Sequence, residues 1–375
     1  GMPNPLTHMT GLPQFSAIKP EHVRPAVEQL LGEGRKQVEE LLAKNTTNTR
    51  DNLVEPLEDM DDHINRAWSP VSHMNSVVNT DELRDAYNGC LPLLSEYGTE
   101  LGQHEGLYNA YRQIADGDEY ARLDVSQKKI IDNALRDFRL SGIELPQTDR
   151  DRYKAIMQEL SKLSSGFSDN VLDATNAWHR QITDEAGLAG LPESARSLAK
   201  QTAEQRDMEG WVFTLDFPSF HAVMTYADDR ALREEVYTAF VTRASDQGPH
   251  AGQWDNTSTM ESIVALRHEA AKLLGFENYA ERSLATKMAE STEQVMQFLE
   301  DLAERSRPAA LHELDDVRAF AADTHGEKDL QAWDIGYYSE KLRADRYAIS
   351  QEELKPYFPE PRVVSGLFSI VEQLY

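Results

Sequence analysis

Apolar residues recur at three- and four-residue steps along most of this chain, the spacing that gathers them on one face of an α-helix. Tyr153, Ile156, Met157, Leu160, Leu163, Phe167 and Val171 trace one long stripe, and Ile130, Ile131, Ala134, Leu135 and Phe138 a second. A third runs through Val295, Phe298, Leu299, Leu302 and Ala303 and continues to Leu314, Val317 and Phe320. Met260, Ile263, Val264, Ala271 and Leu274 form a fourth. Asp255, Asn256 and Thr257 precede it as N-cap candidates, and Gly275 stands where a helix C-cap favours glycine. Ser291 with Gln294, and Ser350 with Glu353, have the spacing of capping boxes. Pro308 falls inside the third stripe and predicts a kink or interruption there, because proline removes a helical hydrogen bond.

Alternation at period two is scarce. Trp211–Phe217 alternates well, and Phe220–Tyr226 across Pro218 is its predicted partner in a small hairpin. The expected fold is therefore mostly all-α, an elongated multi-helix assembly with at most that hairpin. The glycines and proline of Asp184–Pro192 make the best boundary. They divide the chain into a helical domain over residues 1–185 and a second domain over residues 186–375.

Composition narrows the function more than it changes the fold. The 375 residues suffice for two domains with proper cores. Hydrophobic content of 40% and charged content of 27% are those of a globular protein. A net charge of −26 repels phosphate backbones and anionic lipid, so neither nucleic acid nor membrane is an expected partner. Cys90 is the single cysteine, which excludes an intramolecular disulfide and suits a reducing cytoplasm. It reads as a buried thiol. The first residues lack the basic and apolar regions of a signal peptide.

Candidate chemistry is sparse. No phosphate-binding glycine loop, dinucleotide fingerprint or G-x-S-x-G elbow occurs. Asp59, Asp62 and His63 share a helical face, but charge on one face is the ordinary pattern of an exposed helix. Three His-Glu pairs lack a second histidine four residues on: His104-Glu105 has Tyr108 there, His268-Glu269 has Lys272, and His312-Glu313 has Asp316. His268, beside the fourth stripe, reads as a packed or capped helix histidine. The acid and two phenols Asp334, Tyr337 and Tyr338 share one or two helical turns and are the candidate substrate-binding residues. The competing reading is that the phenols pack internally with their hydroxyls satisfied.

Several runs carry a family resemblance. The stretch R-A-S-D-Q-G-P-H-A-G-Q-W-D-N-T from Arg243, then L-R-H-E-A-A-K-L-L-G-F-E-N-Y-A from Leu266 and K-M-A from Lys287, resembles the thimet oligopeptidase and neurolysin family of zinc metallopeptidases. F-S-A-I-K-P-E-H-V-R-P-A-V at Phe15–Val27, F-S-D-N-V-L-D-A-T at Phe167–Thr175, W-D-I-G-Y-Y-S-E-K at Trp333–Lys341 and L-K-P-Y-F-P at Leu354–Pro359 also fit.

The resemblance implies a cytoplasmic enzyme that hydrolyses short peptides, and it makes this chain roughly the N-terminal half of a family member. Family members hold zinc on H-E-x-x-H and a later glutamate, a set this chain lacks. No catalytic or metal-ligating residue is therefore expected here, zinc belongs to the full-length protein, and the present chain is expected to be inactive alone. Its implied role is scaffold and one wall of the peptide channel, and its implied partners are short peptides and the remaining half. Seven apolar residues in Val363–Leu374 add an expectation of self-association when that half is absent. The alternative is a non-catalytic helical module that binds peptide or protein.

Overall fold

Each of the long apolar stripes becomes a helix in the computed structural model, which describes residues 2–347. The Ser350–Glu353 pair, the Leu354–Pro359 motif and the Val363–Leu374 segment lie outside the described residues. The fold is mostly α, with fourteen α-helices and one two-stranded sheet among the described residues. The described residues form two compact units, one of residues 2–166 with Glu261–Tyr279, the other of Phe167–Met260 with residues 280–347.

In the first unit, α1 (Pro20–Lys44), α2 (Glu55–Val77) and α3 (Asp81–Gly102) enclose Val23, Leu30, Ile64, Val71, Leu83 and Cys90. Burial pushes the Cys90 thiol up to about 11, which makes it a packing residue rather than a nucleophile. Next come α4 (Glu105–Asp116), the short α5 (Asp118–Arg122) and α6 (Val125–Leu140). Leu107, Ile114, Ile131 and Phe138 from α4 and α6 form a neighbouring core, so the 130–138 stripe is buried as its period requires.

Two helices belong partly to each unit, α7 (Gln147–Ala177) and α11 (Thr257–Leu273). In the first unit, Tyr153 and Ile156 pack on Ala270, Leu266 and Leu273. Arg152 adds two hydrogen bonds to Glu269, at 2.7 and 3.0 Å. This packing displaces the predicted face of α11: Val264 is 67% exposed, Met260 is exposed, and so is His268, contrary to its expected packing. Small Ala270 and Ala271 allow closer helix approach than the larger residues a step away, and the partner helix settles which face is covered. Gly275 ends this helical run in the left-handed region as its position predicts. Phe276 N–H donates to the Ala271 carbonyl and Gly275 N–H to that of Lys272, the pattern of a Schellman cap.

The second unit holds the sheet. β1 (His179–Ile182) pairs antiparallel with β2 (Trp211–Thr214), His179 opposite Thr214. α8 (Glu193–Gln205) packs beside β2. The predicted partner strand Phe220–Tyr226 is instead part of α9 (Phe217–Tyr226). The physical reason is at its start. Pro218 is preorganised for a first helical turn, where its missing N–H costs nothing, and Ser219 Oγ accepts the Thr214 N–H at 2.9 Å, ending the strand.

Leu188 and Leu191, inside the Asp184–Pro192 stretch, are buried in this unit's core with Phe213, Val223, Leu232 and Val236. The last two come from α10 (Arg230–Val241). Beyond α12 (Tyr279–Leu284), α13 (Thr292–His325) is one continuous helix through Pro308. The expected interruption is absent because the bonds on both sides outweigh the single one lost at an exposed position. Ser291 caps α13 by accepting the Gln294 N–H, while the Gln294 side chain reaches the Glu290 N–H rather than closing a box on Ser291. Only the second half of the α13 stripe is covered, where Val317 and Ala321 meet Tyr337 and Tyr338 of α14 (Ala332–Tyr347). Phe298, Leu299 and Leu302 are exposed.

Candidate functional site

Two arginines three residues apart, Arg230 and Arg233, lie on one side of α10 and meet Asp334 in the first turn of α14. Arg233 is 1% exposed and Asp334 fully buried. Arg233 Nη2 donates to Asp334 Oδ1 at 2.8 Å, and Arg230 Nη2 to Oδ2 at 2.7 Å. Gln331 N–H, just before α14, donates to Oδ2 at 2.9 Å, so Asp334 also caps its own helix. Both carboxylate oxygens are saturated. Burial acts to raise the Asp334 pKa, but the hydrogen bonds from Arg230, Gln331 N–H and Arg233 outweigh it and hold the carboxyl below its usual range.

The remaining donors are also spent inside the protein. Arg233 Nη1 reaches the Ala227 carbonyl at 2.6 Å and its Nε the Trp333 carbonyl at 3.1 Å. Its guanidinium lies 3.9 Å from the Tyr337 ring centroid. Tyr337 donates to Asp228 Oδ1 at 2.5 Å, and burial followed by this bond raises its pKa. Tyr338 packs edge-on against Tyr337, and burial raises its pKa as well. A side chain at Gly190 would run into the Tyr226 carbonyl and the Asp228 carboxylate, so this close approach and its φ of +88° require glycine.

The structure thus brings Asp334, Tyr337 and Tyr338 together in one buried cluster. An ion pair with every hydrogen-bonding position filled cannot move a proton or bind a solute without opening. Chemically it fixes α10, α14 and the Asp228–Asp229 corner as one piece. Sequence reasoning missed Arg230, Arg233 and Asp228. Two arginines at i and i+3 on a helix whose other face is apolar were the available signal.

The three His-Glu pairs do not supply a metal centre. His104 caps α4, with Nδ1 accepting the Leu107 N–H and Nε2 2.9 Å from Glu39 Oε1. Glu269 is held by Arg152, and exposed His312 lies 3.7 Å from Asp316. Asp62 pairs with Arg66 on the exposed face of α2. Among the described residues no group of three His, Cys, Asp or Glu side chains could hold a metal ion. No helix among them is long and apolar enough to cross a membrane.

Residues 27–150 match the neurolysin/thimet oligopeptidase N-terminal domain, and residues 223–375 match Peptidase family M3. The chain is 57% identical over 374 residues to oligopeptidase A of Salmonella typhimurium, covering 100% of this chain and 55% of that protein. The figures are the same for oligopeptidase A of Escherichia coli. A protein described as probable cytosolic oligopeptidase A of Arabidopsis thaliana is 38% identical over 381 residues, covering 99% of this chain and 53% of its own length. The chain spans about half the length of the curated relatives it matches.

Proposed function

From a chain that belongs to the thimet oligopeptidase and neurolysin family, we propose the N-terminal portion of a cytoplasmic zinc metallo-oligopeptidase that hydrolyses short peptides. The observation that carries this reading is the unbroken match over 374 residues to two oligopeptidases A nearly twice as long. Zinc belongs to the complete protein, where it would activate water and polarise the scissile carbonyl. The residues described here do not fit the metal, so no step of that chemistry falls to them. Their role is scaffold. The saturated Arg230–Arg233–Asp334 cluster locks α14 to α10 and holds one side of the peptide channel in place, with Asp334, Tyr337 and Tyr338 setting the position of that wall.

Supporting a division near residue 185, the two family matches fall on either side of it. Exposed Phe298, Leu299 and Leu302 on α13 support an apolar surface for the remaining half.

The experiment is co-expression of this chain with the segment that follows it in the relatives. A complex with chelator-sensitive cleavage of quenched fluorescent peptides is expected, stable in high salt because apolar burial drives it. Two soluble, folded halves that fail to associate at micromolar concentration would overturn the reading. A complex without activity would favour a non-catalytic peptide-binding module instead.

A further inference from the structure

Val317 and Ala321, the α13 residues packed against α14, mark one line along a helix of 34 residues. Five turns of α-helix take about 18 residues and return to the same line. Five turns before Val317 and Ala321 stand Leu299 and Ala303, and both are exposed. Ala310, between them and Val317 on the same side, is exposed as well. The face that α14 covers thus continues toward the start of α13 with its apolar side chains open among the described residues.

The path of the chain says what can cover it. Tyr338 of α14 meets His325 of α13, and Arg346, about two turns on, reaches Asp316 at 3.4 Å. The two helices are therefore antiparallel, and the chain leaves α14 beside Asp316, directed toward the open stretch. Leu299 is about 26 Å farther along α13 at about 1.5 Å per residue. Residues 348–362 can span up to about 50 Å. After them Val363, Val364, Leu367, Phe368, Val371 and Leu374 recur at helical spacing. Glu372 is the one charged side chain between Val363 and Leu374, so burying this stripe desolvates little charge.

We propose that Val363–Leu374 folds back on α13 and lays its stripe along Leu299, Ala303 and Ala310, extending the cover that α14 begins. The tether holds the segment at an effective concentration on the order of millimolar, ahead of a second copy of the chain. Phe298 lies about 100° round the helix from Leu299 and stays free for the remaining half. The contact is internal to this chain and does not depend on the peptidase reading.

Amide hydrogen exchange of the 375-residue chain, read by mass spectrometry over residues 296–312 and 363–374, tests it. A helix held only by its own backbone bonds opens at low cost, so a docked partner shows as protection. A Leu367→Asp/Val371→Asp double variant should speed exchange over 296–312 about ten-fold or more. Leu299→Asp/Ala303→Asp should do the same over 363–374, and residues 130–138 should be unchanged in both. The proposal is overturned if either variant leaves the facing segment exchanging at the parent's rate. It is also overturned if the parent's protection over 296–312 falls on ten-fold dilution, which would assign the cover to a second copy.

Discussion

Asp334 draws Arg230, Arg233 and Gln331 together, its two oxygens accepting from all three. Removing one member of a buried pair strands the other charge, at a cost of about 3–5 kcal/mol. Arg230 is partly exposed and stays hydrated, so Asp334→Asn is expected to cost about 3 kcal/mol, at the lower end of that range. Urea unfolding of parent and variant at neutral pH measures it. The pH dependence has a definite sign. The folded carboxyl is depressed, so its contribution is complete above the unfolded pKa of about 3.9 and is lost as pH falls through the lower folded value. The gap between parent and variant should hold steady from neutrality down to about pH 5 and narrow below about pH 4. A gap that stays constant at acid pH would assign the loss to packing rather than charge.

At the scale of elements, helices followed local spacing while the sheet did not. The period along 130–138 and 153–171 sufficed because each helix makes its own backbone bonds. A strand must find its partner elsewhere, and β2 finds β1 some thirty residues earlier rather than the adjacent segment. Pro308 is the element-scale test. Proline in a continuous helix costs up to about 3 kcal/mol relative to alanine, and α13 is continuous there. Pro308→Ala should therefore raise the thermal unfolding midpoint by restoring a donor toward the Glu304 carbonyl. No rise would mean that α13 is locally opened at this position.

At the scale of the whole molecule, α13 carries apolar surface that is exposed among the described residues, with Phe298 55% exposed. If this surface meets the other half of a peptidase, Phe298→Asp should change the stability of this chain by no more than about 0.5 kcal/mol, as for other surface sites. The same substitution should weaken association with the downstream segment, read by sedimentation of the co-expressed halves. An unchanged complex would place the interface elsewhere.

By itself the sequence determined the helical class, the cap at Gly275, the burial of Cys90 and the family, since each rests on local spacing or on a run of adjacent residues. Only the tertiary structure decided which face of α11 is covered, where β2 pairs, and that Asp334 and Tyr337 are held by Arg230, Arg233 and Asp228. Those partners lie about a hundred residues away. A periodic stripe says that a face is apolar, but a carboxylate is a ligand or a strut according to what occupies its lone pairs. That occupancy is a property of folded space, which no spacing along the chain records.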